Sequence, residues 1–324
     1  MRRRDLIAGL GGATVWPFLG MAQPASMPVI GFLDNSSPDP SFRAAFIEGL
    51  SQSGYADGRN VVIEYRWAEG HNERLPALAA DLVRRQVRVI ATVNTPPVLA
   101  AKAATQTIPI IFGVGVDPVE TGLVASLNRP GGNLTGVTQL SAELAAKRLQ
   151  LLHELVPTAT SIALVVNPTN SLFTDTETRQ VRNAARALDV QLVVLNAASQ
   201  DDIDRTFATL AQQRINAVLV SADAFFITQR DQFVALAARY AIPAIYQRRE
   251  FAVVGGLISY GPRLSEASRL VGTYAGRILN GDKPSDLPVQ QSAKIETILN
   301  LKTARALGID VPLSTLMRVD EVIE

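Results

Sequence analysis

The sequence predicts an α/β protein built from two doubly wound, Rossmann-like lobes that are joined by a three-segment hinge. Three stretches of the first half recur in type and order in the second half. The repeated pairs are residues 29–33 with 162–166, 78–92 with 207–221, and 108–112 with 242–246. Because strands alternate with helices in each half, the sheets should be parallel with right-handed crossovers. Self-similarity within the chain therefore indicates two lobes of one architecture.

Continuous apolar runs predict the strands, because strands buried on both faces of a parallel sheet lack polar alternation. In the first half these runs cover residues 28–33, 61–67, 87–93, 109–114 and 134–138. In the second half they cover residues 161–166, 190–195, 217–221, 244–247, 257–261 and 295–300. The stretches between them show apolar residues at helical spacing, which completes the alternation.

A helix start is predicted at residues 117–120, directly after a buried strand. Asp117 has the position of an N-cap, Pro118 follows at the first helical position, and Glu120 completes a capping box. The turn residues at 128–133 should end this helix.

The two lobes are predicted to be discontinuous in sequence. We assign residues 27–138 with about 257–283 to the N-terminal lobe, and 139–256 with about 284–324 to the C-terminal lobe. Glycines and turn residues gather near 135–140, 255–260 and 282–288, where we expect the chain to cross between the lobes. Closure in such folds is hinge-like, so the lobes should move as rigid bodies about these crossings.

The first 22 residues have the pattern of a secretory signal peptide. Three arginines precede an apolar run over residues 6–19, and small residues lead to a cleavage site near Ala22. The apolar run is too short to span ~30 Å of hydrocarbon, which disfavours a membrane helix. A generic secretory route and a twin-arginine route remain alternatives. We expect an exported periplasmic protein without a lipid anchor, since the chain contains no Cys.

Composition excludes several classes of function. Without the three Arg and one Asp of residues 1–22, the chain has 28 basic and 29 acidic side chains, which indicates no nucleic-acid partner. The absence of Cys and the isolation of His71 and His153 argue against a zinc site. Neither a Gly-x-Ser-x-Gly elbow nor a Gly-Lys-Ser/Thr phosphate loop occurs. We therefore expect no catalytic residue, metal or cofactor, and a monomer that binds a small molecule.

Candidate ligand-binding residues follow from the rule that open parallel sheets bind ligands beyond the carboxyl ends of their strands. In the first lobe these positions hold Ser36, Ser37, Asn94, Thr95 and Asp117. In the second lobe they hold Asn167, Asn170, Asp223 and Tyr246, with Tyr260 on a later strand. Each polar residue alone has the simpler explanation of a helix cap. As a set on one edge of each sheet, they indicate a cleft between the lobes.

The first-lobe candidates favour an anionic group of the ligand. Helix N-termini after Ser37, Thr95 and Asp117 would carry unpaired N–H groups and a partial positive charge. Asp117 brings its own carboxylate, which repels an anion. We therefore expect Ser36, Ser37 and Thr95 to bind a ligand carboxylate.

The second-lobe candidates favour the opposite charge. Asp223 is placed to hold an ammonium group, and Tyr246 and Tyr260 to form an apolar wall. Together the two lobes predict an amino-acid-like zwitterion, aromatic amino acids included. The pairs Arg84-Arg85 and Arg248-Arg249 are interpreted as solvated charges at the ends of elements.

The chain resembles the periplasmic substrate-binding proteins of ABC transporters, in the branch with tryptophan- and tyrosine-associated binding components. The blocks that carry this resemblance are 30–33, 60–70, 99–105, 117–119, 129–136, 287–291 and 300–304. Residues 267–270 depart from the family's Tyr-Arg-Arg pattern. The resemblance implies the type I periplasmic binding protein fold, closing on a small ligand that is delivered to an ABC permease in the inner membrane.

Three function classes are compatible with such a fold. The leading hypothesis is the solute-binding component of an importer. A ligand-presenting partner of a membrane sensor would use the same cleft, and only a binding partner would distinguish it. A periplasmic enzyme is disfavoured because no nucleophile–base or metal constellation is present. The predicted signal peptide and the lack of an N-terminal DNA-reading helix pair exclude a repressor.

Overall fold

The computed structural model describes residues 27–292 and 294–324. The predicted signal peptide, residues 1–22, lies outside the described residues. The chain begins with β1 (Val29–Asp34), α1 (Pro40–Ser51), β2 (Val62–Trp67), α2 (Leu75–Arg84), β3 (Val89–Val93), α3 (Thr95–Ala104), β4 (Ile110–Val114) and β5 (Leu134–Thr138). These elements form the first lobe, and their strands lie where the apolar runs predicted them.

The second lobe repeats the pattern. It comprises α4 (Ala145–Leu155), β6 (Ser161–Val166), α5 (Ser171–Ala187), β7 (Gln191–Asn196), α6 (Gln200–Gln212), β8 (Ala217–Val220), α7 (Ala224–Thr228), α8 (Arg230–Arg239), β9 (Ala244–Tyr246), α9 (Arg249–Val253) and β10 (Ile258–Pro262). The chain then continues through α10 (Leu264–Leu279), β11 (Gln290–Gln291), β12 (Ile295–Asn300), α11 (Leu301–Ala306), α12 (Leu313–Leu316) and β13 (Glu321–Ile323).

The order of the strands confirms the duplication. The first sheet runs β11-β5-β4-β3-β1-β2, and the second runs β13-β12-β10-β9-β8-β6-β7. Strands β1 to β5 therefore each have a counterpart at the same place in the other sheet, for example β1 with β6 and β3 with β8. The second sheet includes one antiparallel pair, β10 with β12. The predicted α/β class with two doubly wound lobes is confirmed.

The boundaries between the lobes differ from the prediction at two of the three crossings. The sequence predicts residues 257–283 to lie in the first lobe, but β10 pairs with β9 and β12 and belongs to the second sheet. The chain returns to the first lobe only at α10, which packs against α1. Residues 290–291 form β11 beside β5, so the third crossing follows β11 and does not lie near 282–288. Strand pairing decides which lobe a segment belongs to, and the positions of turn residues do not predict that pairing.

The predicted helix at residues 117–120 is wrong. Asp117 Oδ1 does accept hydrogen bonds from the N–H groups of Val119 and Glu120, at 2.7 and 3.1 Å, as a cap would. The chain turns away one residue beyond the first turn, because Gly122 has φ +68°. Asp117 therefore caps a turn on the surface of the first lobe.

Candidate ligand-binding cleft

The carboxyl ends of the strands of both sheets face a cavity of about 550 Å³ between the lobes, a volume typical of ligand sites. Its charged side chains are Asp34 and Asp39 from the first lobe and Arg230, Arg248 and Glu250 from the second. Its apolar walls include Phe42, Ile227, Val253, Val254 and Leu264. Both signs of charge and an apolar surface are thus available to one ligand.

A smaller chamber of about 50 Å³ continues the cavity inward. The two spaces share Val93, Asn94, Ile227, Arg248 and Leu264 as lining residues. The inner chamber adds polar groups from both lobes: Thr95, Gln139, Ser141, Asn170 and Gln247. The aromatic ring of Phe173 closes one side.

In the first lobe a buried carboxyl group lies at the end of β1. Asp34 Oδ1 accepts hydrogen bonds from the Ser36 N–H at 2.9 Å and from Asn94 Nδ2 at 3.3 Å. Burial raises the pKa of this carboxyl to about 6, although the hydrogen bonds act in the opposite direction. Asn94 precedes α3 with φ +69°, an unusual backbone conformation for a residue other than glycine. Asp34 was not among the predicted site residues, although it ends the strand before Ser36.

The second lobe has a corresponding cluster, but its carboxyl group follows β8, the counterpart of β3, and not β6, the counterpart of β1. Asn167 Nδ2 and Asn170 Nδ2 donate to the two oxygens of Asp223, at 2.8 and 3.0 Å. The Phe225 N–H donates to Asp223 Oδ1, so Asp223 is the N-cap of α7. The registers of the internal repeat align Asp34 with Asn167 and Asn94 with Asp223. Each lobe thus has one amide–carboxylate hydrogen bond between its strand ends, with the two partners exchanged.

The structure brings part of the predicted site together. Ser36, Ser37 and Asn94 line the cavity, and Thr95 and Asn170 line the inner chamber. The helix starts differ from our expectation. Asp39 is the N-cap of α1, since its carboxylate accepts from the Ser41 and Phe42 N–H groups. Ser36 and Ser37 therefore do not stand at a helix N-terminus.

The remaining predicted residues lie away from the two spaces. Asn167 and Asp223 hold each other behind the lining surface, so Asp223 is a helix cap whose burial raises the pKa of its carboxyl. Tyr246 is fully buried and its ring stacks on Phe251 at 4.5 Å. Tyr260 packs beside the core of the second lobe. The prediction of a tyrosine wall is therefore corrected, because the apolar wall consists of aliphatic side chains and Phe42.

Two residues that follow β9 were missed. Arg248, interpreted from sequence as a solvated charge, is 9% exposed, and its Nε and Nη2 donate to Glu250 at 3.2 and 3.3 Å. Gln247 lines the inner chamber. The strand-end rule that selected Tyr246 extends to both residues, because they are the next two in the chain.

The lobes touch each other around the cleft. Phe173 belongs to α5 of the second lobe, yet it packs into the apolar core of the first lobe. A Cβ atom on Gly115 would lie 2.9 Å from its ring.

Two polar contacts also join the lobes. Asn72 Nδ2 donates to Thr169 Oγ1 at 3.1 Å, and Arg179 forms an ion pair with Glu120 at 2.7 Å.

A fully buried ion pair lies beneath the crossings. Arg148 Nη2 on α4 is 2.7 Å from Glu177 Oε1 on α5, and both side chains are 0% exposed. The same nitrogen donates to the backbone oxygen of Ser141 at 3.0 Å, and the Ser221 hydroxyl donates to Glu177. Burial raises the pKa of Glu177, while the charge of Arg148 favours the ionised carboxylate.

The described residues offer no group of three His, Cys, Asp or Glu side chains that would hold a metal ion. Over the same part of the chain, no helix is both long and apolar enough to cross a membrane.

Replacing Asp34 by Asn is expected to flatten the pH dependence of stability. Burial raises the pKa of Asp34 from 3.8 to about 6, so the folded state binds this proton more tightly than the unfolded state. The stability that Asp34 contributes is therefore complete below pH 4 and is lost as the pH rises through 6. Since each pKa unit corresponds to 1.36 kcal/mol, the loss should be about 3 kcal/mol.

Urea unfolding of wild type and Asp34→Asn between pH 4 and 7 measures this effect as the difference between the two curves. Asp81→Asn is a control of opposite sign, because a hydrogen bond from Arg66 lowers the pKa of the partly exposed Asp81 carboxyl. Parallel pH profiles for wild type and Asp34→Asn would contradict a raised pKa of the Asp34 carboxyl in the folded state.

Two lobes of this topology with a ligand-sized cavity between them define a type I periplasmic binding protein. The family model described as "ABC transporter substrate binding protein" matches residues 27–323, so the chain belongs to this family. The family that the sequence blocks indicated is confirmed.

Two proteins that the chain resembles are described by an aromatic amino acid ligand. A tyrosine-binding protein of Clostridioides difficile (strain R20291) is 28% identical over 268 residues, which are 82% of this chain and 76% of that protein. The ABC domain from Streptococcus pneumoniae, solved in complex with L-Trp, is 25% identical, with a TM-score of 0.83 over 92% of this chain and 100% of that chain.

A ligand-free, open structure provides a contrast. This substrate-binding protein with adhesive properties from Clostridium difficile is 25% identical and covers 91% of this chain and 99% of its own, with a TM-score of 0.63. At equal identity, the chain therefore superposes better on the L-Trp complex than on the open protein.

Proposed function

We propose that the chain is the extracytoplasmic solute-binding component of an ABC importer, which closes its two lobes on an amino acid or related carboxylate, aromatic amino acids included. The observation that carries this proposal is the interlobe cavity, which offers both signs of charge beside an apolar wall. The relatives that bind tyrosine and L-Trp support the ligand class. The better superposition on the L-Trp complex supports a closed arrangement of the lobes.

The cavity suits a ligand with separated polar and apolar parts. Asp34 and Asp39 offer negative charge from the first lobe, and Arg230 and Arg248 offer positive charge from the second. Val253, Val254 and Leu264 provide a surface for an apolar side chain. A zwitterionic amino acid would engage all three surfaces only when both lobes are in place, which couples binding to closure.

The proposal extends to export and partners. A signal peptide over residues 1–22 would direct the mature chain to the periplasm, where it would act as a monomer. The partner that receives the ligand would be an ABC permease of the inner membrane, as the family implies.

A thermal-shift screen of the mature chain against amino acids and small carboxylates tests the proposal. A ligand at a hundredfold its Kd should stabilise the native state by about 2.7 kcal/mol, which raises the Tm by several degrees. Small-angle scattering with and without that ligand then follows the radius of gyration. Absence of any stabilising solute would contradict ligand binding, and catalytic consumption of the ligand would contradict the non-enzymatic role.

A further inference from the structure

We infer that the inner chamber binds the carboxylate of the ligand and that Gln247 is the residue that selects for it. This inference rests on the proposed function and deepens it, because it assigns each end of the ligand to one of the two connected spaces. Four observations carry it: an unpaired amide, the distribution of charge, the size of the chamber and the position of α3.

Gln247 is a buried amide without a partner. The residue is 3% exposed, and neither its Oε1 nor its Nε2 forms a hydrogen bond within the described residues. The large majority of buried side-chain polar atoms in native proteins are hydrogen-bonded, so an amide without a partner beside a cavity indicates a place for a ligand atom. The Nε2 group supplies two donors, which a carboxylate accepts.

The charges of the two spaces differ. Arg248 is the one charged residue that lines the inner chamber among the described residues. The outer cavity adds the carboxyl groups of Asp34, Asp39 and Glu250, against the single further cation Arg230. A zwitterion therefore has lower electrostatic energy with its carboxylate inward and its ammonium group toward Asp34 and Asp39.

The size of the chamber agrees with this orientation. At roughly 10–15 Å³ for each water-sized position, about 50 Å³ holds three to five such positions. A carboxylate fits this space and an indole or phenol ring does not. The ring or chain of the ligand must then occupy the outer cavity, beside Phe42 and Leu264.

The N-terminus of α3 reinforces the preference for an anion. Thr95, the first residue of this ten-residue helix, lines the chamber. The partial positive charge of a helix N-terminus attracts a carboxylate. Unlike Gln247, this helix alone would not indicate a site.

Gln247→Glu is the sharpest test, because it keeps the shape of the side chain and replaces the donor amide by an anion. Calorimetric titration at pH 7.5 should compare L-tryptophan, indole-3-propionate, which lacks the amine, and tryptamine, which lacks the carboxylate. We expect the variant to bind the two acids about ten- to a hundredfold more weakly, as for loss of a charge-assisted hydrogen bond. Binding of tryptamine should change less than threefold. L-Tyrosine, 3-(4-hydroxyphenyl)propionate and tyramine form a second series.

Gln247→Met provides an uncharged second variant. It removes an amide that forms no hydrogen bond with the described residues, so it should keep or raise the Tm without ligand while weakening the binding of the acids. Tyr246→Phe is the matched control, since the neighbouring hydroxyl is equally buried and unpartnered but lies outside the chamber. This control should leave every affinity unchanged.

The outcomes separate the inference from the proposed function. Equal effects of Gln247→Glu on tryptophan and tryptamine, or none on either, would overturn the inference while the solute-binding function stands. Stabilisation of the wild type only by amines or uncharged solutes would also overturn it. A wild-type protein that no solute stabilises would refute the proposed function, and the inference with it.

Discussion

Arg148→Met is expected to lower the free energy of unfolding by about 3–5 kcal/mol, the cost of leaving one partner of a buried ion pair uncompensated. Arg148 and Glu177 are both fully buried and 2.7 Å apart. Without the arginine, the Glu177 side chain can stay buried only if its carboxyl takes up a proton, because burial raises the pKa of this group. The loss of stability should therefore be greater at pH 8 than at pH 5. Urea unfolding at both pH values measures it.

A double variant, Arg148→Met with Glu177→Leu, serves as the control. Apolar replacement of a whole buried ion pair is often neutral, so the second substitution should recover most of the stability lost by the first. A loss below 1 kcal/mol in Arg148→Met would mean that the pair contributes little to the fold.

Phe173→Ala is expected to weaken ligand binding about a hundredfold or more. The ring belongs to the second lobe but lies in the core of the first, so its contacts stabilise the state in which the lobes are together. Removal of a buried Phe side chain typically costs 3–5 kcal/mol, and here that cost falls on the closed state. Calorimetry with the ligand found by screening measures the affinity, and scattering should show a larger radius of gyration.

Val181→Ala is the matched control for Phe173→Ala. Val181 lies on the same helix, but it is buried within the second lobe alone. Its truncation should lower stability and leave both affinity and radius of gyration unchanged. If Phe173→Ala behaves in the same way as this control, the ring does not couple the lobes.

The fold could be predicted because its determinants are local and repeated. Apolar runs mark strands such as β1 and β6 directly, since both faces of these strands are buried. The lobe assignment of 257–262 failed because it depends on pairing of β10 with β12, which lies far along the chain. The internal repeat would have predicted the correct lobe, because β10 has the same place in the second sheet as β5 has in the first.

The site was predicted less completely because burial of a polar group depends on its neighbours in space. Arg248 has the sequence context of a surface charge, and only the folded chain shows that its side chain is buried at the wall of the cleft. Asp117 shows the reverse case. The capping hydrogen bonds that the sequence predicts are present, but Gly122 has a positive φ and no helix continues beyond the first turn.

The exchanged amide–carboxylate pairs restrict how one lobe can change into the other by substitution. A single step from either arrangement gives two aspartates or two asparagines. Two buried carboxyls at this distance would force one to retain a proton, whereas two amides still share one hydrogen bond without charge. A path through paired asparagines at positions 34 and 94, or 167 and 223, keeps a hydrogen bond between the two strand ends at every step. Lobes descended from one duplicated ancestor could diverge along it without losing a folded intermediate.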